Sequence, residues 1–160
     1  MSSGGSEAIR RFWAEFRAGT RCMAQNYDVV AYPEDPELAT DLAELILSGR
    51  RRATVSLLRD FAAGPPRPGD HVVMLDGEGA PRCVWRTTGV EVRRLDELEG
   101  AFARDEGEGD GAREEWLAMH RRHFGRQAER AGFVLRDAEK VVFERFEVVW
   151  PQADEREAAG

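Results

Sequence analysis

The apolar positions of the chain change period several times, and each change marks an element. Ile9, Phe12, Trp13 and Phe16 recur at helical spacing and Gly19 follows, which predicts an amphipathic helix over 7–20 docking an aromatic face. Residues 1–6 are small and polar and are expected to fray. A second helix starts at Asp35, where the side chain can cap, Pro36 suits the first helical position and Glu37 complements the helix dipole. Leu38, Leu42, Leu45 and Ile46 are its buried stripe, and Gly49 sits where a helix commonly ends in a left-handed turn. Three arginines, Arg50, Arg51 and Arg52, come next. Residues 54–58 then read as a strand, with Thr54, Ser56 and Leu58 on one side and Val55 and Leu57 on the other.

Residues 64–69 hold three prolines between two glycines and predict a loop. His71 to Leu75 is an apolar strand, Asp76-Gly77-Glu78-Gly79 a hairpin turn, and Cys83 to Thr88 the returning strand, extended or followed by Val90 to Val92. Leu95, Leu98 and Phe102 suggest a short helix. An acidic glycine-rich loop at 106–111 leads into a helix from about Arg113 to Phe124, with Trp116, Met119, His120 and Phe124 near one face. Val141 to Trp150 alternates as a long closing strand, and residues 151–160 form a polar tail. Hairpin-linked strands interrupted by helices predict an α+β fold, a small mixed and mostly antiparallel β-barrel flanked by helices, rather than a doubly wound parallel sheet. One domain over 1–160 is expected, with the helix at 7–20, the barrel core and its helices at 27–150 and the tail at 151–160.

Charge narrows the partners. The 160 residues carry a net charge of −7, whereas a general nucleic-acid coater would be basic. A local basic site on an acidic body is the form such binding would take. Lys140 is the only lysine, so chemistry that needs a lysine elsewhere has none. No apolar run is long enough to cross a bilayer and the first residues do not resemble a secretory leader, so no membrane partner and a cytoplasmic location are expected. Cys22 and Cys83 lack metal spacing and are expected to be reduced, with Cys83 in a strand core. His71, His120 and His123 form no metal pattern, and neither a metal nor a cofactor is called for.

Two segments can carry chemistry. At 49–56, arginine forks suited to phosphate precede two hydroxyls, Thr54 and Ser56, that point the same way; a plain basic helix end is the competing reading. At 105–110, Asp105, Glu106, Glu108 and Asp110 crowd together without calcium-loop spacing, and a solvated acidic loop is the competing reading.

The run Leu47 to Leu58 resembles the signature of ASCH domains, a branch of the PUA-like β-barrel superfamily, whose motif is glycine, any residue, lysine, two residues, then threonine. Pro68-Gly69-Asp70, the turn at 76–79, Thr87-Thr88 before Val90-Glu91-Val92, residues 106–110 before Trp116, and Glu144-Arg145-Phe146 are similar to the longer bacterial members, over roughly residues 12–150. The resemblance implies a cleft between barrel and helices and a role with RNA or nucleosides. It also implies, by position, that Thr54 is the family threonine, that Arg51 replaces the family lysine, and that Glu106, or alternatively Glu108, is the family glutamate. A small ASCH enzyme deacetylates acetylcytidine with such a trio, and some longer members are reported as ribonucleases.

Arginine stays protonated and cannot activate a threonine, though it can hold a phosphate or an oxyanion. The leading expectation is therefore an RNA- or nucleoside-binding domain. Arg50, Arg51 and Arg52 would grip phosphate, Thr54 and Ser56 would read the ligand, Glu108 would contact it, and Trp85 or Trp116 could supply stacking, although a core position is the favoured reading of each. The alternatives are a hydrolase (an acetylcytidine-type amidohydrolase or a ribonuclease) using Thr54 and Glu106, and a partner-binding adaptor.

Overall fold

A computed structural model describes residues 3–32, 35–49, 52–97 and 110–152, with side chains from residue 7 in the first helix and from residue 121 in the third. The elements run α1 (Ser3–Thr20), β1 (Asp28–Val30), α2 (Pro36–Leu47), β2 (Ala53–Leu57), β3 (His71–Leu75), β4 (Pro81–Arg94), α3 (Asp110–Ala131) and β5 (Lys140–Trp150), with one-turn 3₁₀ segments at Leu58–Asp60 and Leu95–Glu97. The strands form a mostly antiparallel half-barrel sheet in the order β1-β3-β4-β5-β2. β1 pairs in parallel with β3, and β3 pairs antiparallel with β4. The α+β architecture expected from the sequence is the one observed.

The chain clusters into two compact units, residues 1–54, 66–90 and 144–160 in the first and 55–65 and 91–143 in the second. In the first, the pairs Val73↔Val84 and Val72↔Trp85 place alternate residues on opposite faces. Val73, Leu75 and Val84 meet Ile9, Trp13 and Phe16 of α1 in one cluster, so α1 covers this outer face. Val72, Met74, Cys83 and Trp85 point to the inner face and are buried. α2 is capped as its sequence dictates: Asp35 Oδ1 accepts from Leu38 N–H at 3.4 Å, and Gly49 takes the left-handed conformation at φ 80°. Its buried stripe comprises Leu38, Ala39, Leu42, Ala43 and Ile46; Leu45 is only half-buried. Asp76 shapes the β3–β4 hairpin by accepting from Glu78 and Ala80 N–H at 2.9 and 3.1 Å.

In the second unit Arg59 forms a two-pronged pair with Glu139, both bonds at 2.9 Å, and its guanidinium lies 3.5 Å from the Phe133 ring centre. Gln127 donates to both oxygens of Asp60 at 2.7 and 2.8 Å. Val55, Leu57, Leu95, Phe124, Ala128 and Val141 to Phe143 are its buried apolar residues among those described.

The structure departs from the sequence reading in several places. α1 begins at Ser3, ahead of its apolar stripe, where fraying was expected. Gly19 lies inside α1 rather than ending it. A Cβ there would stand 2.6 Å from two ring carbons of Trp150, so the glycine provides room for that indole. The three-residue β1 carries no alternation to announce it. The returning strand is one continuous β4 to Arg94, and the third helix runs from Asp110 to Ala131. Neither β2 nor β5 has one wet face: Ala53 to Val55 and Val141 to Glu144 are buried on both sides, and β2 ends at Leu57. Leu98 and Phe102 of the expected short helix, and the side chains of Trp116, Met119 and His120, lie outside the described residues.

Gly19→Ala adds a methyl group against Trp150. Overpacking at about 1–3 kcal/mol outweighs a helix-propensity gain of just under about 1 kcal/mol. Urea denaturation should show a net loss on the order of 1 kcal/mol together with a shift in tryptophan emission; a more stable variant would mean that Trp150 does not rest on Gly19.

Candidate functional site

The inner face of the first unit is organised around a buried carboxylate. Glu144 and Phe146 lie two apart on β5, and Trp85 and Thr87 two apart on β4, so each pair shares a face of neighbouring strands. Glu144 is 5% exposed. Its Oε2 accepts from Trp85 Nε1 at 3.0 Å and from Thr87 Oγ1 at 2.6 Å. Burial pushes its carboxyl above the usual range, and the charges of Asp28 and Asp70 push the same way, while the two hydrogen bonds oppose the shift. The Phe146 ring stacks on Trp85 with centroids 4.1 Å apart and planes at 12°. Phe146 N–H donates to the Arg52 carbonyl at 3.0 Å, which ties the arginine segment to β5.

Above this layer lies a cavity of about 450 Å³ lined by Ile46, Gly49, Arg52, Thr88, Phe146, Glu147 and Val148. The end of α2 supplies Ile46 and, through its left-handed turn, Gly49. Arg52 is exposed, and among the described residues it makes no ion pair. Glu147 is engaged by Arg86, whose Nη2 lies 2.6 Å from Oε1. Arg52, without an ion pair among the described residues, thus shares one cavity with Thr88 and Phe146, and its guanidinium suits a phosphate or another planar anion.

The residues singled out by sequence reasoning are distributed unevenly about this cavity. Arg52 lines it. Thr54 is 5% exposed and absent from the lining, and Ser56 is half-buried in the second unit. Arg50, Arg51, Glu106 and Glu108 lie outside the described residues. Trp85 is fully buried under Phe146, in the core position favoured for it, and Phe146, 4% exposed, is the aromatic residue among those lining the cavity. Sequence reasoning missed the role of Glu144. Its signal was a carboxylate on the strand face otherwise made of Val142, Phe146, Val148 and Trp150, a position where charge is costly unless it is paired.

A second cavity, about 300 Å³, is lined by Ala24, Gln25, Asn26, Tyr27, Asp28, Gly69, Asp70 and His71. Burial holds the Asp28 carboxyl above its ordinary value, with Asp70 adding to the effect. Burial and the Arg86 charge hold His71 below its ordinary value, against the pull of Asp70. Both cysteines are free, Cys83 buried as expected. Among the described residues no three His, Cys, Asp or Glu side chains group as metal ligands, and no helix is long and apolar enough to cross a membrane.

A helix-backed half-barrel whose signature glycine, Gly49, and Arg52 line one cavity is a PUA-like α+β protein. The ASCH domain model matches residues 28–150, and the chain belongs to that family. It is similar to the crystal structure of an ASCH domain from Lactobacillus crispatus JV V101, at 26% identity over 89% of this chain and 94% of that one, TM-score 0.73. It shares its fold with protein EF3133 from Enterococcus faecalis V583, at 24% identity over 96% and 95% of the two chains, TM-score 0.74. No curated protein matches it.

The raised Glu144 carboxyl gives a pH test. A carboxyl whose folded pKa lies above its unfolded one binds more protons when folded. Its stabilising contribution is complete below the unfolded value and is lost as pH rises through the folded value. Glu144→Gln keeps an acceptor for Trp85 and Thr87 but does not titrate. The stability of this variant relative to wild type should therefore grow between pH 4 and pH 7 in urea titrations. A difference that shrinks over that range would mean that the buried carboxyl is stabilised as its anion.

Proposed function

We propose that this ASCH domain binds single-stranded RNA or a modified nucleoside in the cavity between Gly49, Arg52, Thr88 and Phe146. The observation that carries this reading is the guanidinium of Arg52, without an ion pair among the described residues, in a cavity of about 450 Å³ that Thr88 and Phe146 also line, within the range of small-ligand pockets. Arg50 and Arg51 extend the cationic segment and grip phosphate. Glu108 contacts the ligand in this reading, while Thr54, buried and outside the lining, acts only by holding the strand that follows Arg52. With a net charge of −7 the rest of the molecule repels polyanions, so affinity is local and short-range. Residence in the cytoplasm belongs to the same reading.

Two features weigh binding above hydrolysis. Arg51 occupies the position of the family lysine and cannot accept a proton. Thr54, 5% exposed and outside the lining, is poorly placed as a nucleophile. A hydrolase would have to use Glu106 or Glu108 as its base. Incubating the pure protein with acetylcytidine and with mixed single-stranded RNA, followed by chromatography, separates the readings, with Glu106→Ala as control. Binding without product is expected. Product that disappears in the control would replace binding by catalysis, and neither binding nor product would leave the adaptor role.

Arg51→Ala and Arg52→Ala should each weaken RNA binding about tenfold, roughly 1.4 kcal/mol, without unfolding the protein. With three arginines on phosphate, log K should fall against log salt with a slope of about −2, and Arg51→Ala should flatten it by roughly 0.7. Fluorescence anisotropy at several salt concentrations measures both; unchanged affinity in both variants would remove the site.

A further inference from the structure

The connection between α1 and β1 brings together two groups that the cavity at Arg52 does not use. Arg21 adopts the left-handed conformation, φ 59°, and turns the chain so that Cys22 packs against the aromatic cluster under α1. The Cys22 Sγ lies 3.8 Å from Nε2 of His71. The Cys22 carbonyl accepts from Arg17 Nε at 3.4 Å. The thiol is half-buried, and its neighbour Met23 is 84% exposed, so solvent reaches this segment.

The imidazole is held rather than free to swing. The rings of Trp13, edge-on, and of Phe16 each have centroids 5.6 Å from it. The charged and titratable groups that face it are Arg86, paired with it across the strands, Asp70 beside it, Cys22, and Tyr27, which stacks on Trp13. Burial and the Arg86 charge favour the neutral ring, which is the form able to take a proton. His71 also lines the cavity of about 300 Å³ with Asn26, Tyr27, Asp28 and Asp70.

We infer that Cys22 and His71 form a nucleophile–base pair that exchanges with small disulfides reaching it beside this cavity. The Nε2 atom takes the thiol proton, and Sγ attacks one sulfur of the disulfide. A bond forms between Cys22 and that sulfur, the original S–S bond breaks, and its electron pair leaves on the other sulfur. The departing thiolate takes the proton from His71. Nothing else is consumed. Exchange of this kind needs a nucleophilic sulfur, a proton acceptor and access, and unlike acyl transfer it requires no donors placed for an oxyanion. Asp28 and Asp70 at the cavity favour a disulfide that carries ammonium groups.

The test uses the full chain with cystamine, followed by intact-mass and peptide mass spectrometry. Cys83, fully buried, serves as an internal reference. Modification is expected at Cys22, at a rate that changes by no more than about threefold between pH 7 and pH 9, because the imidazole rather than solvent takes the proton. His71→Asn should slow the reaction at pH 7 by about tenfold and restore the steep rise with pH of an unassisted thiol. Cys22→Ser should abolish it. A wild-type rate that climbs about tenfold per pH unit below the thiol range overturns the pair, and this is read on the wild-type protein even if the histidine variant does not fold. An unchanged rate in folded His71→Asn, or modification at Cys83 instead of Cys22, overturns it equally.

Discussion

A carboxylate in an apolar core sets the terms for everything around it. Leaving Glu144 without partners would cost several kcal/mol, so the strand carrying it must sit where Trp85 and Thr87 can donate. Those donors lie two apart on β4 and meet Glu144 at one oxygen, which fixes the lateral position of β5 against its neighbour. With that position fixed, Phe146 falls on the Trp85 ring, and its N–H reaches the Arg52 carbonyl. The chain after α2 is thereby anchored at Arg52, which shares the cavity lining with Phe146. A polar contact in the core decides the shape of the rim.

The same arrangement divides electrostatic roles. Asp28, Asp70 and Glu144 gather on one side of the sheet; besides burial, the charges of Asp28 and Asp70 raise the cost of ionising Glu144, and that of Asp70 the cost of ionising Asp28. At the rim Glu147 is taken by Arg86, an exposed pair that adds little stability but occupies that carboxylate. Arg52 is left uncommitted among the described residues. In the proposed reading, an acidic protein offers cationic chemistry at one place while repelling nucleic acid elsewhere, which favours a short or single-stranded ligand over a duplex.

Much of the fold was legible because local chemistry spoke for it. Asp35-Pro36-Glu37 and Gly49 delimit α2 by capping and by left-handed geometry, and Asp76 to Gly79 builds its turn from its own side chain. Features that depend on distant partners were not legible. Gly19 reads as a helix end, but its use is to admit Trp150, 131 positions further along the sequence. β1 is three residues long and exists through its pairing with β3. β5 alternates in sequence, but its first half is buried on both sides, so alternation misstates its exposure. Within the candidate site, Gly49 and Arg52, which line the cavity, were singled out from the spacing at the end of α2. Phe146 and Glu144 were not, because their roles come from the register of β4 against β5 rather than from any local motif.

The most direct test is a titration of ¹⁵N-labelled protein with a short single-stranded RNA, following backbone amide shifts. A ligand bound at the end of α2 should perturb Gly49, Arg52, Thr88 and Phe146 to Val148 first, leaving Asn26 to Asp28 and Gly69 to His71 at the other cavity undisturbed. Shifts centred on that second cavity, or none at saturating RNA, would contradict the assignment of the Arg52 cavity as the ligand site.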